Sequence, residues 1–186
     1  MQAGMREVDA GTRPAGVERR PPPARRVHVG IGAVEVSGDR DAVLTAILGS
    51  CVGLVMIDRR TGRAGLAHVM LPDSASGAGG GLPGKFADEA VPVLLGAMRE
   101  RGSRPADLAC AIAGGADIFG IGGVAGNIGA RNVEAIDAAL ARVGLRASRR
   151  EVGGDGGRLV EVWVGPAQVV VRRPGAAPGE LALLTP

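Results

Sequence analysis

Apolar residues alternate with polar ones at 27–31 and 34–36, then gather into short unbroken runs at 42–48, 52–57 and 65–71, divided by Gly-Asp and Arg-Arg-Thr-Gly turns. Alternation marks a half-buried strand and a short bounded apolar run marks a fully buried one, so four or five strands are expected before any helix. The period changes after the glycine-rich stretch 77–84. Ala87, Val91, Leu94, Leu95 and Met98 fall on one helical face, with Gly102 ending the segment. Pro92 lacks an amide hydrogen and is expected to delay or kink that helix. A strand at 108–113 runs into Gly114-Gly115-Ala116-Asp117, and Asn127 is placed to cap a second helix with Val133, Ile136, Leu140 and Val143 on its buried face, stopped at Gly144. Strands at 145–152, 158–165 and 168–172 follow, the last two joined at Gly165-Pro166. Several adjacent strands have no helix between them. The expected class is therefore α+β, with mixed sheets packed together and helices on their outer faces.

The ends of the chain differ from its middle. Residues 1–26 are rich in Arg and Pro and carry six arginines against three acidic side chains, which accounts for the whole net charge of +3. Such a segment buries too little apolar surface to offset its ordering entropy and is expected to be a disordered tail. The folded unit is expected over 27–173, with 174–186 as a flexible C-terminal tail. The balanced interior, with two Phe, one Trp and no Tyr, argues against a nucleic-acid-binding face. No stretch reads as a signal peptide or as an uninterrupted membrane span. Two cysteines and two histidines are too few for a disulfide framework or a four-ligand zinc site. A reducing cytoplasm is the expected compartment, without metal or organic cofactor.

That scarcity makes the placement of one cysteine and one histidine informative. Cys51 follows Leu48-Gly49-Ser50, and His68 lies seventeen positions on, in Gly65-Leu66-Ala67-His68-Val69-Met70-Leu71-Pro72. A cysteine attacks a carbonyl as its thiolate, which a nearby imidazolium favours. A turn at Gly49-Ser50 exposes the sulfur and aims backbone N–H groups, near Ser50 and Cys51, at a developing oxyanion. The two segments are close enough in sequence to pair as a hairpin through Arg59-Arg60-Thr61-Gly62. A small buried hydrophobe and a satisfied core histidine would give the same local pattern, so spacing alone leaves both readings open. Gly120-Ile121-Gly122-Gly123-Val124-Ala125-Gly126 lacks the spacing of a dinucleotide loop, His28 reads as a surface residue, and Asp155 and Arg158 read as fixing a late turn.

The blocks Thr45-Ala46-Ile47-Leu48-Gly49-Ser50-Cys51-Val52, His68-Val69-Met70-Leu71-Pro72, Gly114-Gly115-Ala116, Ile128-Gly129-Ala130-Arg131-Asn132-Val133 and Gly153-Gly154-Asp155-Gly156-Gly157-Arg158 together resemble the chemoreceptor glutamine deamidase family, CheD, over roughly 27–172. The resemblance implies Cys51 as nucleophile, His68 as general base and acid, and Thr45 as the residue that helps orient the imidazole. Ser50, Arg131 and Asn132 are candidates for binding substrate; Arg131 and Asn132 would shape the entrance or hold a loop, and a helix-start packing role for those two is equally open. It also implies the layered α/β/β/α fold of cytotoxic-factor-like cysteine hydrolases. The implied substrates are the cytoplasmic domains of methyl-accepting chemotaxis receptors, and a CheC-type response-regulator phosphatase is an implied partner, leaving a mainly adaptor role as the alternative. The chain departs from the family pattern at Val69, Ala113 and Glu151, where Phe, an aromatic residue and Asp are usual. These positions bear on the shape of the substrate pocket. A redox-sensing thiol is disfavoured because no resolving cysteine lies close to Cys51 in sequence.

Overall fold

The computed structural model describes residues 25–76, 81–118, 120 and 128–181. The strands are β1 (Arg25–His28), β2 (Val34–Ser37), β3 (Ala42–Leu48), β4 (Val52–Asp58), β5 (Ala64–Val69), β6 (Leu108–Gly114), β7 (Ala147–Val152), β8 (Arg158–Trp163), β9 (Gln168–Arg172) and β10 (Gly179–Leu181), with helices α1 (Ala87–Glu100) and α2 (Ile128–Arg142). They form two five-stranded sheets, ordered β1-β3-β8-β9-β10 and β2-β5-β4-β6-β7. Both are mixed, because β1 runs parallel to β3 and β6 parallel to β7 while the other pairs are antiparallel. This is the expected layered α+β class.

Strand parity explains the layers. In β4, Val55 and Ile57 face the first sheet and, with Leu66 of β5 beside them, pack with its Leu44, Leu48, Val160, Val162, Val169 and Val171. Val52, Leu54 and Met56 face the other way, into a second core with Leu94, Met98, Ile112, Ile136 and Leu140. A strand buried on both faces must be apolar at every position, which is why 52–57 reads as an unbroken run. Both described helices lie on this outer face of the second sheet. A Cβ at Gly65 would stand 2.6 Å from Leu94 Cδ1, so glycine there lets α1 approach β5 closely.

Helix α1 and the C-terminal segment differ from expectation in detail, while α2 agrees with it. Helix α1 starts at Ala87 and continues through Pro92. Pro92 is on the solvent side, where the carbonyl it leaves unpaired costs least, while Ala87, Ala90, Val91 and Leu94 bury the other face from the first turn. In α2, Ile136 and Leu140 are fully buried and Val133 and Val143 partly so, and Gly144 at φ +73 ends the helix. Gly179–Leu181, within the segment expected to be a tail, pairs antiparallel with β9 as an edge strand. The Arg/Pro-rich stretch 1–24, the glycine loop at 77–80, the Asn127 cap and residues 121–127 of the second glycine loop lie outside the described residues. Among the described residues, no helix is long and apolar enough to cross a membrane.

Candidate active site

Cys51 and His68 are brought together by the β4–β5 hairpin. Asp58 builds its turn: Oδ1 accepts from the backbone N–H groups of Arg60 (2.9 Å) and Thr61 (3.2 Å), and Gly62 takes φ +74. The register then pairs Ile57 with Ala64, Val55 with Leu66 and Gly53 with His68. Cys51 lies two residues beyond Gly53, so by parity its side chain is on the same face as His68, one diagonal step away. Diagonal neighbours are roughly 7–8 Å apart at their backbones, within reach of longer side chains. Both face the space between the sheets. Cys51 is half-buried and packs against the inter-sheet core, whereas His68 is only 2% exposed.

The imidazole is held from one side. Its Nδ1 lies 3.0 Å from the Val29 carbonyl, and His68 is fixed along its backbone by N–H donation to Ala33 O (3.0 Å) and by accepting from Gly32 N–H (2.8 Å). With Nδ1 donating to Val29, the tautomer leaves Nε2 as the acceptor. Nε2 is buried without a hydrogen-bond partner among the described residues. Burial lowers the His68 pKa; the Val29 carbonyl opposes this and neighbouring His28 adds to it. Burial also raises the Cys51 pKa, with the residue's own backbone N–H, directed at the sulfur, acting in the other direction. Both shifts favour the neutral thiol and the neutral imidazole over the thiolate–imidazolium pair that the sequence suggests. Alkylation of Cys51 by iodoacetamide is expected to keep rising as pH passes the ordinary cysteine range, with no plateau at neutral pH. A rate already maximal at pH 7 would show a stable ion pair. Cys110, on the helix side of β6, is buried and its pKa is pushed up to about 12.

The nucleophile turn is clamped by the Gly-Gly-Ala block. Gly115 N–H donates to Cys51 O (2.8 Å) and Ala116 N–H to Gly49 O (2.9 Å). Gly114 and Gly115 take φ +111 and +66, conformations that favour glycine. The block is tied in turn to the late glycine motif, Gly153 N–H donating to Gly114 O (3.0 Å) and Asp117 N–H to Gly154 O (2.8 Å). Arg158, 3% exposed, holds that motif by donating to the Glu151 carbonyl (2.8 Å) and carboxylate (2.7 Å) and to the Gly153 carbonyl. This is the turn-fixing role anticipated for Arg158, with Glu151 as its partner.

The remaining candidates are placed differently from one another. Thr45 directs its hydroxyl to Val27 O (3.3 Å), and its carbonyl accepts from Val29 N–H (2.7 Å), so it meets His68 through the Val29 peptide and not through its hydroxyl. Ser50 is half-buried in the turn, and Arg131 is exposed on α2. Asn132, for which the sequence leaves an entrance place, a loop-holding role and helix-start packing all open, is fully buried and donates from Nδ2 to Ser50 O (3.1 Å) and Met70 O (2.9 Å), in keeping with the packed alternatives. Val29 was not apparent as a site residue, since a backbone acceptor leaves no mark in residue type.

A two-sheet α+β sandwich with a thiol and an imidazole on one face of a hairpin is the class that fold and site define. The family model described as "CheD chemotactic sensory transduction" matches residues 70–173. The chain is 39% identical over 147 residues to "Chemoreceptor glutamine deamidase CheD" of Thermotoga maritima, covering 79% of this chain and 91% of the relative. Two proteins named "Probable chemoreceptor glutamine deamidase CheD" are similar: one from Clostridium botulinum, 38% identical over 136 residues (72% and 84% covered), and one from Methanococcus maripaludis, 37% identical over 147 residues (79% and 94% covered). This chain belongs to the CheD family.

Proposed function

We propose that this chain is a protein-glutamine deamidase that converts glutamine side chains of chemotaxis receptors to glutamate, acting from the cytoplasmic side. The observation that carries the reading is the register, which sets Cys51 and His68 on one face of one hairpin in a CheD-family chain. His68 Nε2 takes the Cys51 S–H proton as the sulfur attacks the side-chain carboxamide carbon. The oxyanion that forms is held by backbone N–H groups near Ser50 and Cys51. The imidazolium returns the proton to nitrogen as the C–N bond breaks and ammonia leaves. Water then attacks the thioester and gives its proton to Nε2; the C–S bond breaks, glutamate forms and the thiol regains its proton. Thr45 acts one peptide removed, by fixing the Val29 carbonyl that holds Nδ1.

The test is deamidation of a receptor cytoplasmic fragment, followed by mass spectrometry. Each modified glutamine is expected to gain about one dalton, or about three in water labelled with oxygen-18, with one ammonia released per site. A chain that served only as an adaptor for a CheC-type phosphatase would bind that partner and leave the receptor mass unchanged.

A further inference from the structure

Asn132 is a buried polar side chain beside the Cys51 turn that this chemistry does not use. It lies one turn into α2, and both Nδ2 hydrogens are spent on backbone carbonyls, Ser50 O at 3.1 Å and Met70 O at 2.9 Å. Ser50 directly precedes Cys51, and Met70 lies two residues after His68. The β4–β5 ladder ends at the Val52–Val69 pair. One step further, Cys51 would oppose Met70, and there the strands' own rungs stop. A carboxamide with two N–H donors replaces the missing rung by bridging a carbonyl from each side.

We infer that Asn132 is a positioning residue that sets the separation of the Cys51 turn from the end of the His68 strand without touching substrate. The inference rests on the deamidase reading of Cys51 and His68. It is favoured by complete burial, which keeps the amide from any incoming glutamine. Rigidity of its mount points the same way. A Cβ at Gly129 would stand 2.5 Å from Gly115 O, so α2 begins directly on the backbone that hydrogen-bonds Cys51 and Gly49. Three residues later the helix delivers Asn132 with little freedom. The Oδ1 atom is buried with no hydrogen-bond partner among the described residues, so the donors are the part of this side chain that the site employs. An apolar residue of similar size would fill the volume without that cost, since a buried unpaired acceptor costs about 1–3 kcal/mol.

Two variants test it. Asn132→Asp keeps the shape, removes both donors and sets oxygen against two carbonyls; Asn132→Ser leaves one donor on a smaller side chain. With a receptor cytoplasmic fragment as substrate, kcat is expected to fall about 10- to 100-fold in the Asp variant, with KM within about twofold, because a small misplacement of reacting groups costs rate more than affinity. The Ser variant should fall between it and the wild type. The pH profile of Cys51 alkylation by iodoacetamide is expected to shift in both, while circular dichroism shows the fold retained. A folded Asp variant with unchanged kcat and alkylation profile overturns the inference. So does a raised KM at unchanged kcat, which would make Asn132 a substrate contact, and so does loss of folding in both variants, which would leave it a structural clamp. If the wild-type chain fails to deamidate, the functional reading falls, and the alkylation arm still decides the role of Asn132.

Discussion

Cys51→Ala is expected to slow deamidation of a receptor fragment about 10⁴-fold or more, because removing a covalent nucleophile deletes the pathway itself. The fold should survive, since Cys51 is half-buried at the end of a turn and alanine removes only the sulfur. His68→Ala is expected to cost about 10²- to 10⁴-fold, the usual range for a positioned acid–base group. The double variant should be little worse than Cys51→Ala alone, because residues acting as a unit do not contribute additively. Timed mass spectrometry of the receptor fragment measures all three. Substantial activity in folded Cys51→Ala would remove the thiol from the reaction and with it the proposed mechanism.

The second large effect is on stability. Gly114, the last residue of β6, takes φ +111, and a Cβ there would stand 2.2 Å from Cys51 O and 3.1 Å from Val52 Cα. Both neighbours are backbone, so neither can swing aside. A positive φ costs a non-glycine residue about 1–2 kcal/mol, and forcing atoms into a filled interior costs about 1–3 more. For a chain of this size each kcal/mol moves Tm by about 2–4 °C, so Gly114→Ala should melt about 10 °C lower. The displaced Cys51 carbonyl should also reduce activity in whatever fraction remains folded. Gly96→Ala is the control: a Cβ there meets nothing within 4 Å, and alanine in mid-helix should stabilise by up to about 1 kcal/mol. A thermal melt in which the two variants behave alike would show that the Gly114 contact is not what shapes this turn.

Much of this arrangement was legible from residue order because it rests on local rules. The unbroken apolar run 52–57 and the turn at 59–62 specify a doubly buried hairpin, and period-two geometry then puts Cys51 and His68 on one face. What stayed hidden depends on contacts between distant segments. Val29 supplies a carbonyl to His68 across 39 positions, and Asn132 reaches Ser50 across 82. An acceptor on the backbone has no residue signature. An asparagine near a helix start looks the same whether it faces solvent or closes a strand end, which is why the sequence leaves Asn132 open between an entrance residue and a packed one. Ionisation was hidden for a similar reason: adjacency suggests an ion pair, whereas the sign of the pKa shifts follows from burial, a property of the whole packed domain. Pro92 shows tertiary packing overriding a local signal, since one lost hydrogen bond on a wet helix face weighs less than a buried stripe starting at Ala87.

The seclusion of Cys110 gives experimenters a practical advantage. With its sulfur enclosed beneath the helices and its ionisation deferred to about pH 12, a mild electrophile meets one reactive thiol per chain. Counting incorporated label thus becomes a titration of competent molecules, and turnover can be expressed per working centre instead of per milligram of protein.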